Sequence, residues 1–572
     1  MAQSSPLSVV LCWHMHQPQY RDLISAEYQL PWTYLHAIRD YVDMAEHLEN
    51  SPTARAVVNF SPVLLEQIDD YVKQIEGFLG NGVAIRDPIL EALDMAVMPS
   101  DPQRRISLIK ACLRANQVRI IDRFPEYKRL AEISHWIVDN HGSSEYLNNQ
   151  YLADLVTWYH LGWVGETVRQ SHPLIRRLQQ KGNGFTLHDR RELLALTGEL
   201  LKSVVARYRA LAAEGRVELS CSAYAHPILP LMIDLSCARD AMPHIQMPVL
   251  DKYPGGYERA KSQIDYGRSV FEKHFGNTPT GLWPPEGGIS TPLIDLLANS
   301  GVQWCATGEQ VLFNSLSHAG GAPDTGNKAW LHRLYEDAAT GVKIYFRDDA
   351  LSDLIGFTYS DWHADDAVAD LVSRLEHIAQ GYGDCSNRVV SIIMDGENAW
   401  EHYPENANYF LSALYDKLTR SPHLELTTFR DFTQSHEAQP IDRLTPGSWV
   451  YGTFSTWIGD EEKNRAWDIL GDAKRAWDEV MATEEIDTER RARLELQLAI
   501  CEGSDWFWWL GEYNPSSTVS DFERLYRLHI VNLYKLLHRE PPEYLAQTLS
   551  HGHGSPAKGG VMRTGSEPEP LV

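Results

Sequence analysis

The chain has 572 residues, 43% hydrophobic and 23% charged, which is enough for a large barrel with attached modules and too many for one small core. A formal net charge of −25 and a pI near 5.3 disfavour partners with phosphate backbones or anionic headgroups, so neither nucleic acid nor a membrane surface is expected. A neutral polymer meets no such penalty, and 17 Trp and 26 Tyr offer flat rings on which apolar C–H faces pack.

The opening stretch, MAQSSPLSVVLCWHMHQPQY, lacks a basic leader region and its apolar run breaks at His14, so it reads as neither a secretory signal nor a span. Seven cysteines, odd in number and scattered, suit reduced thiols in a cytoplasm better than a disulfide framework or a zinc knuckle.

Taken in order, β-rich apolar runs fall at 7–13, 55–60, 217–223, 280–283, 302–307, 342–346 and 388–394. Seven strands alternating with helical stretches predict parallel βα units, whose sites form at the carboxyl ends of the strands. A helical insertion is expected over about 62–214, where YLNNQYLADLVTWYHLGWVGETV and RRELLALTGELLKSVVARYRAL carry apolar residues at helical spacing. The reading therefore divides the chain into a catalytic barrel over 1–440, a C-terminal helical domain over 441–549, and a Gly- and Pro-rich tail over 550–572 expected to be disordered.

Polar residues follow nearly every strand: His14 and His16, Asn59, Tyr224 and His226, Glu286, Glu309, Arg347 and Asp348, Asp395 and Glu397. In GLWPPEGGIS, Trp283 ends a strand, Pro284 and Pro285 stiffen the chain, and Gly287 and Gly288 allow close approach to Glu286. A carboxylate on a stiff turn beside an indole suits a nucleophile, although a helix-capping Glu fits the same segment. RVVSIIMDGENAWEHY delivers Asp395 from a buried strand, with Glu397 and Trp400 just beyond. Desolvation there would favour a protonated general acid, and a divalent-cation site is the competing use. Two carboxylates on one rim can cleave an acetal; their separation, which sets the stereochemical course, is not readable from sequence. His14 and His16 alternate along a strand and so point to one side, with His226 able to join them in holding sugar hydroxyls or a metal.

The set HMHQPQY, GRVELSCSAYAHPILP, GLWPPEGGIS, MDGENAWEHY and STWIGDEEKNRAW resembles the five sequence regions of glycoside hydrolase family 57, in the same order. The resemblance runs from His14 to the EGSDWFWWLGE segment. It implies an incomplete seven-stranded (β/α) barrel with a helical region after it, and a retaining mechanism; no cofactor or catalytic metal is expected. Under it, Glu286 matches the nucleophile and Asp395 the acid/base. His14, His16 and His226 match substrate-contacting histidines, and Trp457 matches an aromatic of the fifth region. Trp283, Asp348, Glu397 and Trp400 join these as expected substrate contacts.

WPPEGGIS and TWIGDEEKNRAW look most like the α-amylase and amylopullulanase branch, since branching enzymes usually carry a Cys close after the nucleophile where this chain has Gly287 and Gly288. The expected substrate is an α-glucan such as starch, glycogen or maltooligosaccharides, linked α-1,4 or α-1,6. A 4-α-glucanotransferase or branching enzyme would use the same residues. A metal-dependent deacetylase- or mannosidase-like barrel could take ligands from His14, His16, His226 and Asp395, but the Asp expected on its first strand is absent. A non-catalytic glucan-binding protein is the third reading.

Overall fold

The computed structural model describes residues 5–554 and 562–565. Ten strands form one sheet: β1 (Leu7–Met15), β2 (Ala56–Phe60), β3 (Val217–Cys221), β4 (Gly281–Leu282), β5 (Trp304–Thr307), β6 (Tyr335–Asp337), β7 (Lys343–Phe346), β8 (Val389–Asp395), β9 (Leu424–Leu426) and β10 (Gln439–Ile441). Seven of them run side by side and parallel in the order β7-β5-β4-β3-β2-β1-β8. They are the seven expected from sequence, and they are buried on both faces, as their unbroken apolar runs require.

The barrel closes between β7 and β8 through a single parallel bridge, Arg347 to Ser391, with the Asp348 N–H donating to the Ser391 carbonyl at 2.8 Å. No eighth βα unit fills the remaining gap among the described residues. Instead β6 pairs antiparallel with β7 and carries β10 on its outer edge. This is the incomplete (β/α)7 barrel. The three short strands β6, β9 and β10 went unforeseen because three residues are too few to show a period, and β10 runs through Ile441, across the expected boundary at 440/441.

Between β2 and β3 the chain is helical from Pro62 to Ala213. Its last helix, Leu187–Ala213, starts on a capping box in which Thr186 and Asp189 satisfy each other's backbone N–H groups, and it packs on Pro62–Asn81 and Val42–Glu49. After β10 the helices Glu461–Thr483, Thr488–Cys501, Ser504–Trp509 and Ser516–Leu536 form the C-terminal region. One continuous apolar core joins barrel, insertion and C-terminal helices. A buried polar clamp pins the last region to the barrel: Glu502 takes Arg259 Nε at 2.7 Å, Arg259 Nη2 at 3.0 Å, Tyr253 Oη at 2.7 Å and Gln263 Nε2 at 2.7 Å.

The tail expected to be disordered falls partly on residues 555–561 and 566–572, outside the described set. The described part is ordered against the fold. Ser550 donates to Glu462 at 2.6 Å, and the His553 and Gly554 N–H groups bond to the Glu512 and Asn514 carbonyls at 2.8 and 3.0 Å. Backbone groups next to Tyr513 and Asn514 take up donors that a free tail would leave to water.

Candidate active site

Parallel register sets three side chains in a row across the carboxyl ends of β8, β1 and β2: Asp395, His14 and Asn59. His14 Nδ1 lies 2.7 Å from Asn59 Oδ1, which also accepts from Ser222, so the ring donates from Nδ1 and turns a bare Nε2 toward the site. His16 sits one residue past the end of β1, not on it, yet its ring remains stacked on His14 at 5.7 Å and on His226 at 3.9 Å. His14 and His226 stack at 5.0 Å. Burial, reinforced by the neighbouring imidazole of His16, pushes His14 down to about 3 and His226 well below the usual range. Neutral rings can both give and accept hydrogen bonds, which hydroxyl ligands need.

Glu286 stands on the turn after β4. Pro284 and Pro285 fix the approach, and Glu286 itself adopts φ +58, ψ 24, a left-handed conformation costing about 1 kcal/mol for a non-glycine residue. His226 is left-handed too, at φ +59. Gly287 follows at φ +58, where a Cβ would press within 3.2 Å of Trp283 and Trp449. The Glu286 carboxylate does not cap a helix. It accepts from Trp449 Nε1 at 3.1 Å and Ser504 Oγ at 3.3 Å, and the Trp449 N–H bonds the Glu286 carbonyl at 3.1 Å. Ser504 Oγ is also 3.0 Å from His226 Nδ1, giving a run from imidazole N–H to hydroxyl to carboxylate.

Asp395 ends β8 half-buried and accepts from Asn398 Nδ2 at 3.0 Å. Burial raises it to about 6. Burial, then the charges of Asp505 and Asp395, raise Glu286 to about 8. The charge of Asp395 reaches Glu286, and both carboxyls are held above the usual carboxylate range.

The walls hold buried polar atoms without partners among the described residues, His14 Nε2, His226 Nε2 and Trp283 Nε1; Trp457 Nε1 is also unpaired but lies in the core beside Trp508. Unpaired buried donors and acceptors are costly, and three beside these carboxylates are what a polar ligand would satisfy. Trp283 packs on Trp449 at 5.2 Å and on His14 at 6.2 Å, and Trp457 lies 5.8 Å from Trp508.

Three further expected contacts lie elsewhere. Trp400 is fully buried, edge-on to Trp13, with its N–H bonded to the Gly396 carbonyl, so it is core. Glu397, 2% exposed, turns inward to the His16 N–H and Gln17, and burial raises its carboxyl well above the usual range. Asp348, 1% exposed, is taken by His332 at 2.8 Å, Lys328 at 3.3 Å and the Leu351 N–H at 3.0 Å, which leaves it nothing to offer a ligand.

Sequence reasoning missed Ser504 and Asp505. Asp505 accepts from His16 Nε2 at 3.0 Å through both oxygens. Its only signal was a Ser-Asp pair at the head of the aromatic run SDWFWW, and the aromatics drew the reading. His16, His226 and Asp505 also present donor atoms within 4.8 Å of one another, a group able to hold a metal; of the four residues expected for such a site, His14 and Asp395 are not in it.

The chain is similar in structure to a branching enzyme of Thermococcus kodakaraensis (16% identity, TM-score 0.58, covering 93% of this chain and 90% of that one). It is likewise similar to the α-amylase AmyC of Thermotoga maritima (16%, 0.55, 95% and 96%) and a 4-α-glucanotransferase of Thermococcus litoralis (13%, 0.50, 94% and 61%). No curated protein matches it in sequence. The family model for glycosyl hydrolase family 57 matches residues 10–444, most of the chain, with six barrel strands whole and β1 from Val10 on. The chain therefore belongs to glycosyl hydrolase family 57 and is an enzyme of the glycoside hydrolase class.

Proposed function

We propose that this enzyme cleaves α-1,4 or α-1,6 glucosidic bonds in starch- or glycogen-type α-glucans with retention of configuration. The observation that carries the reading is two carboxyls raised by burial above the usual range, Glu286 within the field of Asp395, with unsatisfied ring nitrogens of His14, His226 and Trp283 beside them. In the first step a Glu286 oxygen attacks the anomeric carbon, the glycosidic C–O bond breaks, and Asp395 gives its proton to the leaving oxygen. In the second, Asp395 takes a proton from water, whose oxygen displaces Glu286. The roles need the proton on Asp395 and a charged Glu286. An acetal oxygen at Asp395 and a developing cation at Glu286 favour that arrangement. Histidines 14, 16 and 226 hold hydroxyls.

The seven cysteines are all unpaired, which fits a reducing compartment such as the cytoplasm. Among the described residues no helix is long and apolar enough to cross a membrane.

Azide rescue tests the roles. Glu286→Ala loses at least ~10³-fold in rate, about 4 kcal/mol of barrier, and azide restores turnover with an inverted glucosyl azide; Asp395→Ala with azide gives the retained one. Azide products of the opposite configurations exchange the roles, and wild-type turnover in Glu286→Ala ends them. Incubation with maltooligosaccharides and pullulan tests the reaction: products longer than the substrate reassign the enzyme to transfer. Inactivation by chelator, reversed by zinc, replaces the mechanism with a metal-dependent one at His16, His226 and Asp505.

A further inference from the structure

The helix Ser504–Trp509 faces the catalytic carboxyls with Ser504 and Asp505, and residues three and four further on share that face. Trp508 is that residue, so its ring belongs to the wall of the same cleft. It is not bare. The guanidinium carbon of Arg563 lies 4.9 Å from the Trp508 ring centre and 4.6 Å from that of Tyr513, and Arg563 Nη1 bonds Thr456 Oγ1 at 3.3 Å. Two residues on, the Gly565 N–H donates to Asp353 Oδ2 at 3.0 Å. Asp353 stands on the other wall: its second oxygen binds Arg347 at 2.7 Å, and Arg347 lies over Trp449, which donates to Glu286. Arg563 and Gly565 are at most about 7 Å apart along the backbone. A short piece of the chain's own C-terminal segment therefore spans the cleft from the helical region to the barrel rim.

The occupant resembles a ligand in its chemistry. A guanidinium is a flat group with apolar faces and hydrogen-bonding edges, and it lies against two aromatic rings with a hydroxyl at its edge, a setting equally suited to a pyranose ring. The fit at Gly565 is close, since a Cβ there would fall 2.6 Å from the Asp349 carboxylate. We infer that Met562–Gly565 is an intramolecular strap whose Arg563 occupies a glucosyl-binding slot on Trp508 and Tyr513, so that α-glucan must displace it to bind. The inference rests on the α-glucan reading above. It makes the protein a mixture of strapped and open forms, with apparent affinity lowered by the fraction strapped.

The test uses the full chain with Arg563→Ala, which empties the slot, and separately Gly565→Val, which forces the strap off Asp349. Both are expected to lower KM and the dissociation constant for maltoheptaose about fivefold, with kcat unchanged. Trypsin cleavage after Arg563, followed by intact mass, is expected to be slow in the wild type, fast in Gly565→Val, and fast in the wild type once maltoheptaose saturates it. Unchanged or raised KM and dissociation constant in both variants overturn the strap, as does rapid cleavage of the unliganded wild type. A wild-type protein that protects Arg563 yet neither binds nor turns over any α-glucan overturns the α-glucan reading, and the competition with it.

Discussion

His16 Nε2 stands 3.0 Å from both carboxylate oxygens of Asp505, a bond that ties the end of β1 to the helix Ser504–Trp509. Asp505 carries its charge into the field of both catalytic candidates, raising Glu286 and Asp395 alike. Asp505→Asn removes that charge and eases ionisation of each. Both limbs of the pH–rate profile are expected to move toward acid, and kcat to fall ~10- to 100-fold as His16 loses its anchor. A profile that stays in place while kcat falls would make Asp505 a purely steric support.

The wild-type profile follows from the two raised carboxyls. One proton in the pair is the working state, gained as pH falls through about 8 and doubled as it falls through about 6. A bell in kcat/KM with apparent limbs near these values is expected. Activity flat from pH 4 to 9 would remove the coupled pair from the mechanism.

Glu286 also makes a stability prediction. Its folded-state value lies above the ordinary 4.5, so the folded protein holds this proton more tightly than the unfolded chain. The resulting stability is full below about pH 4.5 and is lost as pH rises toward 8. Glu286→Gln escapes the loss. It should be inactive yet more stable than wild type by a few kcal/mol at pH 8, with little difference at pH 4.5, by thermal melts at both.

Asp348 separates packing from catalysis. Its removal strands His332 and Lys328 around a buried hole, so Asp348→Ala is expected to cost about 3 kcal/mol of stability, while KM of the folded fraction stays at the wild-type value. A large rise in KM with an unchanged melting temperature would restore it to the substrate-binding set.

What the chain announces in one dimension is what repeats or clusters. The seven barrel strands were legible because burial on both faces leaves continuous apolar runs, even at β4, which pairs over only two residues. Glu286 was legible because two prolines and two glycines mark an unusual turn. Asp505 was not, since nothing local shows that a residue near the end of the chain comes back against His16. Trp400, Glu397 and Asp348 were misplaced for the converse reason. Each follows a strand end, but the rotation of the chain just beyond the strand turns Trp400 and Glu397 inward, while Asp348 spends its oxygens on its own helix start and on His332.

The lone bridge from Arg347 to Ser391 gives the barrel a hinge line. β3 and β4 also share one ladder pair but lie inside the sheet, whereas this junction is the seam where the sheet closes, held by one ladder pair and by the Arg347 Nε bond to the Ile393 carbonyl at 2.9 Å. Amide exchange in deuterated water should accordingly proceed by local opening there first, with Arg347, Asp348 and Ser391 losing protection ahead of β1 and β2. Because Arg347 lies over Trp449, the same opening frees the indole that holds Glu286.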